Sequence, residues 1–254
     1  MRVDINCDMG ESFGRWELGA DAAVMPHITS ANIACGAHAG DTAVMRATLA
    51  LAVKHGVQCG AHPGFADLAG FGRREIPTTP KEAGDLVLYQ IGALSAIAAS
   101  QDVHLKHVKA HGALYNMAAR DRALADAIAA AIAGFDRALV FFGLAGSGML
   151  EAGRRAGLQV AAEGFADRSY EPDGSLTPRS LPGSVIHDAG EVVARATRMV
   201  RESRVRARNG ADIELHVDTI CVHGDTPGAD QLAAALHAGL ESSGVRVIPV
   251  GAAA

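Results

Sequence analysis

Seven or eight short apolar runs, each closed by glycine or a polar residue and separated by helix-length stretches, recur along the whole chain. Arg2–Asp8, Ser30–Gly36, Val57–Ala61, His104–Ala110, Ala138–Gly143, Leu158–Glu163 and Thr219–His223 read as strands, with a last one at Val245–Val250. Thr42–His55, Lys81–Ser100, Arg120–Ala133, Met149–Ala156, Gly190–Ala207 and Gly228–Ser243 read as helices, and Asp21–Thr29 as a short helix or turn. Asp41 is placed to cap the first long helix and Gly56 to end it. This alternation predicts a parallel sheet with crossover helices. With 254 residues and no evident linker, one domain spanning 1–254 is expected. An irregular α/β barrel of seven or eight mostly parallel strands is favoured over an open doubly wound sheet.

Strand parity sharpens the picture, because successive side chains point to opposite faces. One face collects Asp4, Asn6, Asp8, Asn32, His38, Gln58, His62, His107, Lys109, His111, Glu163, His223 and Asp225. The other collects Val3, Ile5, Cys7, Ile33, Cys35, Val57, Cys59, Val108, Val160, Ile220 and Val222. The apolar face is expected to meet the helices and the polar face to line the barrel. Ordinary barrel interiors are filled by branched apolar residues, and burying ionisable groups is costly unless they are paired or used. A single histidine there would pass as a satisfied core residue; so many ionisable groups on one face predict a functional cleft. Two long loops, Pro63–Pro80 and Gly164–Pro182, add further polar residues, and loops of that length usually carry function.

Metal chemistry has a candidate set in Asp8, His38 and His62, which would leave an open position for water. The alternative is a metal-free site in which the same groups act as acid, base and hydrogen-bond partners, and the residues leave both readings standing. His107 and His111 form HxxxH, but on one strand they are about 13 Å apart and cannot share an ion.

Composition removes other classes. Hydrophobic content of 49% with 20% charge is globular, and a net charge of −5 argues against a nucleic-acid surface. The arginines between Arg195 and Arg208 are interrupted by glutamates and apolar residues, as on a solvated helix face. The first residues lack a signal-peptide core and no run has membrane-spanning length, so a cytoplasmic protein is expected. Cys7, Cys35, Cys59 and Cys221 lack CxxC spacing and read as buried thiols. Neither a dinucleotide fingerprint nor a P-loop is present, and Gly143-Leu-Ala-Gly-Ser-Gly148 reads as an ordinary strand-to-helix turn.

Six segments carry a resemblance. They are Asp4-Ile-Asn-Cys-Asp8-Met-Gly-Glu11, Ser30-Ala-Asn-Ile-Ala-Cys-Gly36 with His38-Ala-Gly-Asp41, and Gly60-Ala-His-Pro-Gly64 with Gly70-Phe-Gly-Arg-Arg74. The others are Val108-Lys-Ala-His-Gly-Ala-Leu-Tyr-Asn116, Phe165-Ala-Asp-Arg168 with Asp173-Gly174, and Cys221-Val-His-Gly-Asp225. Together they resemble the LamB/YcsF family, the A subunits of prokaryotic ATP-dependent 5-oxoprolinase. Ala37 and Ala110 stand where the family commonly has an aromatic residue and proline, which alters pocket shape and removes no ionisable group. The resemblance implies a barrel similar to glycoside hydrolase/deacetylase folds, ATP-driven opening of 5-oxo-L-proline to L-glutamate, and separate B and C subunits.

Ring opening of a stable lactam needs a base for water, an acid for the leaving amine, and cations for phosphate or oxyanion. Asp8 and Glu163 are the candidate bases, His62 and His111 the candidate acids, and Lys109 the cation, with His38 beside them. Asn6, Glu11, Asn32, Arg73, Asp167, Arg168, His223 and Asp225 are candidate substrate or ATP contacts. The cofactor is expected to be ATP, with a divalent metal either accompanying it or bound in the site. The rival activity is a metal-dependent carbohydrate deacetylase using Asp8, His38 and His62; a third reading is a substrate-binding or scaffolding role without catalysis.

Overall fold

The structure is a computed structural model describing residues 1–224 and 228–252. It opens with β1 (Arg2–Met9), α1 (Asp21–Val24) and a 3-10 turn at Met25–His27. There follow β2 (Ser30–Ala34), α2 (Thr42–His55), β3 (Gln58–His62), α3 (Pro80–Ala99) and β4 (His107–Lys109). Next come α4 (Gly112–Arg120), α5 (Arg122–Phe135), β5 (Val140–Leu144), α6 (Gly148–Arg155) and β6 (Gln159–Phe165). The chain ends with α7 (Ala189–Glu202), the strands β7 (Arg204–Arg206) and β8 (Asp212–Glu214), then β9 (Thr219–His223), α8 (Ala229–Ser242) and β10 (Arg246–Val247).

Parallel pairing runs β1-β2-β3-β4-β5-β6-β9, and β9 pairs back onto β1, so seven strands close a barrel. β10 pairs with Arg2 and Val3, below the point where β9 joins β1. The expected α/β barrel is therefore present. The helix signals also act as read. The Asp41 carboxylate accepts from the amides of Ala43 and Val44, and Gly56 closes α2 in the left-handed conformation. The Gly143–Gly148 stretch is an ordinary turn in which Ser147 caps α6.

Several elements differ from expectation, among them the last strand, which spans Arg246–Val247 alone. β4 is short because His104 and Lys106 remain exposed and the chain enters the barrel wall only at His107. α4 begins at once after β4 with no side-chain cap, so no start signal marks it in the sequence. The helix expected to reach Ala207 stops at Glu202, where Ser203 is left-handed. Beyond it Arg204-Val-Arg206 has strand alternation, Val205 buried between exposed arginines, and pairs antiparallel with Asp212–Glu214.

The outward strand face forms the apolar core with the helices: Ile5, Cys7, Ile33, Cys59, Val108, Phe141 and Ile220 all lie in it. Inside the barrel, Val140, Phe142 and Ala161, with Val250 against them, form a separate apolar floor. All four cysteines are free and buried. Among the described residues no helix is long and apolar enough to cross a membrane.

Candidate active site

Above the apolar floor the interior is polar, in stacked layers. Lowest is Asp4, whose carboxylate accepts from the hydroxyls of Thr29 (2.5 Å), Ser30 (2.7 Å) and Thr219. Burial pushes this carboxyl up to about 6 against the pull of those hydroxyls.

The next layer is an amide and imidazole lattice. Asn6 Nδ2 donates to Thr219 Oγ1 (2.7 Å), and Asn32 Nδ2 donates to Asn6 Oδ1 (2.7 Å) and Asp8 Oδ1 (2.9 Å). His107 Nε2 lies 2.8 Å from Asn32 Oδ1; because that amide oxygen only accepts, the imidazole nitrogen is the donor. The His107 ring stacks on Phe142 with centroids 4.3 Å apart. Gly60 permits this, since a Cβ there would overlap the ring. Burial holds His107 neutral, down to about 3.

At the cavity floor stands Lys109. Its ammonium lies 2.7 Å from Asp8 Oδ1, 3.0 Å from Glu163 Oε1, 3.2 Å from Asn6 Oδ1 and 3.0 Å from Cys221 Sγ. Tyr115 donates to Glu163 Oε2 at 2.7 Å. Burial pulls Lys109 down, but Asp8, Cys221 and Glu163 together hold it well above its ordinary range. Burial likewise pushes Asp8 up, and the neighbouring His62 and Lys109 overcome this and hold it well below. Lys109 is therefore an ammonium ion flanked by carboxylates, at 3% exposure.

Three histidines and Glu11 cap this layer. His62 Nδ1 faces the Lys109 carbonyl at 2.8 Å, and His62 Nε2 lies 3.3 Å from Asp8 Oδ2. His111 Nε2 faces the Phe71 carbonyl at 2.8 Å, and His111 Nδ1 lies 2.9 Å from His62 Nε2. His38 comes from the loop after β2 and stacks on His111, centroids 3.8 Å apart. Glu11 Oε1 is 3.6 Å from His38 Nε2 and 3.7 Å from His111 Nδ1. Burial, reinforced by the neighbouring imidazoles, holds His38 and His111 well below their ordinary range. Glu11, His38, His62 and His111 each offer a ligand atom within 4.8 Å of the others, a grouping able to hold a metal ion. Asp8, Cys221 and His223 form a second such group, but the Lys109 ammonium already sits against Asp8 and Cys221.

A cavity of about 1040 Å³ opens above, lined by Asp8, Glu11, His62, Lys109, His111 and His223, with Arg73, Arg168 and Arg179 from the loops. That is ample for a small polar substrate. His223 Nδ1 bonds Asp167 Oδ2 at 2.7 Å, so Asp167 orients His223 from behind. Burial raises the Asp167 carboxyl, and His223 outweighs this to hold it low.

The structure thus gathers most of the expected residues but ranks them. Asp8, His62, Lys109, His111, His223, Glu11 and Arg73 line the cavity. Asn6, Asn32, His38, Glu163 and Asp167 stand behind that lining and hold the groups that form it. Arg168 lines the cavity, yet its guanidinium donates to the carbonyls of Ser184 (3.1 Å) and Thr177 (2.6 Å), so it also orders its own loop. Asp225 lies outside the described residues. Two contributors were missed. Cys221 follows from the β9 parity that selected His223, and Tyr115 sits on α4, the helix without a start signal.

Known proteins share this architecture over its length. Residues 3–254 match the LamB/YcsF family. The 5-oxoprolinase A subunit of Pyrococcus furiosus is 54% identical over 251 residues, covering 99% of this chain and 98% of that protein. The corresponding protein of Bordetella parapertussis is 54% identical over 245 residues, covering 96% and 97%. The crystal structure of a lactam utilization protein from Thermus thermophilus superposes with a TM-score of 0.92 at 47% identity, covering 98% of this chain and 99% of that one. A putative cellobiose-phosphate cleavage protein from Enterococcus faecalis V583 shares the fold alone, at TM-score 0.57 and 12% identity. By sequence over nearly all its length, the chain belongs to the LamB/YcsF family.

Proposed function

We propose that this chain is the lactam-opening component of an ATP-dependent 5-oxoprolinase, converting 5-oxo-L-proline to L-glutamate in the cytoplasm together with B and C subunits. The observation that carries the reading is the buried Lys109 ammonium set between Asp8 and Glu163 at the floor of the cavity. The names of the relatives, the 5-oxoprolinase A subunit and the lactam utilization protein, supply the substrate class.

In this reading the lactam oxygen takes the γ-phosphoryl group of ATP, which makes the ring carbon electrophilic. Water adds to that carbon, the C–N bond breaks, and hydrolysis of the resulting acyl phosphate releases phosphate. Asp8 accepts the proton of water. His62 or His111 returns a proton to the departing amine. Lys109 stabilises negative charge developing on oxygen, in a buried position where Asp8 and Glu163 already fix its direction. Glu163, held by Tyr115, keeps Lys109 aimed. Arg73 and Arg179, on the cavity wall, are placed to meet the substrate carboxylate or phosphate.

A second reading, metal-dependent hydrolysis of an acetylated sugar, draws on the Glu11, His38, His62 and His111 grouping. The two separate in one assay. ATP-dependent glutamate release from 5-oxoproline, measured with this chain alone and with candidate partner subunits, is expected only in the reconstituted complex. No release under either condition, or ATP-independent deacetylation abolished by chelation, overturns the preferred reading.

A further inference from the structure

The histidine pair above Lys109 poses a problem in proton placement. His62 Nδ1 and His111 Nε2 each face a backbone carbonyl, of Lys109 and Phe71 respectively, both at 2.8 Å. Carbonyl oxygens only accept, so both of these nitrogens carry the hydrogen. In the neutral rings, His62 Nε2 and His111 Nδ1 are then both lone-pair acceptors, and they face each other at 2.9 Å. Two acceptors in that position need a cation between them, either a proton or a metal ion.

The surroundings favour the metal. Among the described residues neither ring nitrogen of buried His38 has a hydrogen-bond partner, and its Nε2 points toward Glu11 Oε1 at 3.6 Å. The same Glu11 oxygen is 3.7 Å from His111 Nδ1. A proton shared by His62 and His111 satisfies that pair and does nothing for His38. An ion bound at about 2.1 Å to each of two imidazoles holds their nitrogens about 3.0–3.4 Å apart, a few tenths of an ångström from the spacing seen. Donation of the remote N–H to a backbone carbonyl is also how metal-bound histidines are usually oriented. Asp8 Oδ2, 3.3 Å from His62 Nε2, adds negative charge on the side facing Lys109. Gly64 and Gly72 clear the space for the stacked rings, since a Cβ on either would press on His38.

From this geometry we infer that His62, His111 and Glu11, joined by His38 once its ring turns out of the parallel stack with His111, form a binding site for one divalent first-row transition-metal ion, with zinc and cobalt as suitable occupants. Three imidazoles and one carboxylate suit borderline ions of this kind and do not suit magnesium or calcium. The site differs from an Asp8, His38, His62 set in using Glu11 and His111, while Asp8 remains paired with Lys109. Bound there, the ion would supply Lewis acidity at the wall of the cavity. The inference concerns binding alone and its test needs no turnover; an ion on His62 Nε2 and His111 Nδ1 would leave neither imidazole free to act as the acid of the reaction proposed above, so the two assignments exclude one another in the loaded protein.

The test is a titration of the chelator-treated full chain with Co²⁺, followed by visible absorption and by metal content after desalting. One equivalent is expected, with the d–d bands of nitrogen and oxygen ligation, displaceable by Zn²⁺. His38→Gln and Glu11→Gln should each weaken binding at least tenfold, while His107→Gln, at a buried histidine one layer below, should not. Long-range ¹H–¹⁵N spectra of the Zn²⁺-loaded wild type should show His62 Nε2 and His111 Nδ1 without hydrogen. Absence of stoichiometric binding by the wild type overturns the inference, as does unchanged affinity in folded His38→Gln and Glu11→Gln, or a hydrogen shared by the His62–His111 pair at saturating Zn²⁺. Because the wild-type titration and the spectra need no variant, misfolding of a variant does not rescue the inference.

Discussion

Lys109 concentrates the energetics of the site in one side chain. A buried ammonium offset by Asp8 and Glu163 contributes little net stability, because desolvation opposes the attraction; removing it leaves two carboxylates facing each other. Lys109→Met should therefore cost about 3–5 kcal/mol in urea unfolding. In the reconstituted reaction it should lower kcat by roughly 10²-fold or more, with substrate supplied at saturation. Turnover within a few fold of wild type would remove Lys109 from the chemistry. His107 supplies a separate test through pH. Its folded pKa, about 3, lies below the ordinary 6.5, so the folded state refuses a proton that the unfolded chain accepts. Its contribution to stability is whole above pH 6.5 and is lost as pH falls toward 3. Relative to His107→Gln, the wild type should lose about 2 kcal/mol between pH 7 and pH 5, read by urea unfolding of both at each pH. A difference that does not change with pH would mean that His107 is not held neutral.

At the scale of elements, β3 and β4 are fitted to one another through a missing side chain. Gly60 lies opposite His107 in register, and the imidazole occupies the place of its Cβ while bonding Asn32. Gly60→Ala should destabilise the fold by about 1–3 kcal/mol through overpacking. A smaller partner should recover part of it, so the double-mutant cycle with His107→Ala should show coupling above about 0.5 kcal/mol in denaturant unfolding. Additive effects would contradict the fit. Sequence periodicity located the strands well, because each has one apolar face and ends at a turn. It failed where cues were missing or competed: α4 starts without a cap, and Arg204-Val-Arg206 follows a strongly patterned helix whose period conceals a strand of three residues.

Across the whole molecule, the parity of the barrel strands carried the functional reading. Asp4, Asn6, Asp8, Asn32, His62, His107, Lys109, Glu163 and His223 reach one interior because β1, β2, β3, β4, β6 and β9 run parallel with matched register. That much was legible from alternation alone. Depth was not: parity does not say which residues reach the cavity and which brace it, so Asn6 and Asn32 read as substrate contacts although they lie beneath Asp8. Parity put His38 on the right face although it lies on the loop after β2, but Glu11 obeys no strand period, and the place of both beside His111 emerges only with the fold.

The proposed reaction assigns bond breaking to this interior, and Asp8 is the carboxylate most exposed to the outcome. The measurement is ATP-dependent release of glutamate from 5-oxoproline by the complex reconstituted with wild type or Asp8→Asn, each checked for assembly. The wild-type complex should turn over only with ATP, and Asp8→Asn should assemble but lose roughly 10²-fold or more of the rate, as expected for loss of a general base. No ATP-dependent glutamate from the wild-type complex, or full turnover by the variant, would contradict it.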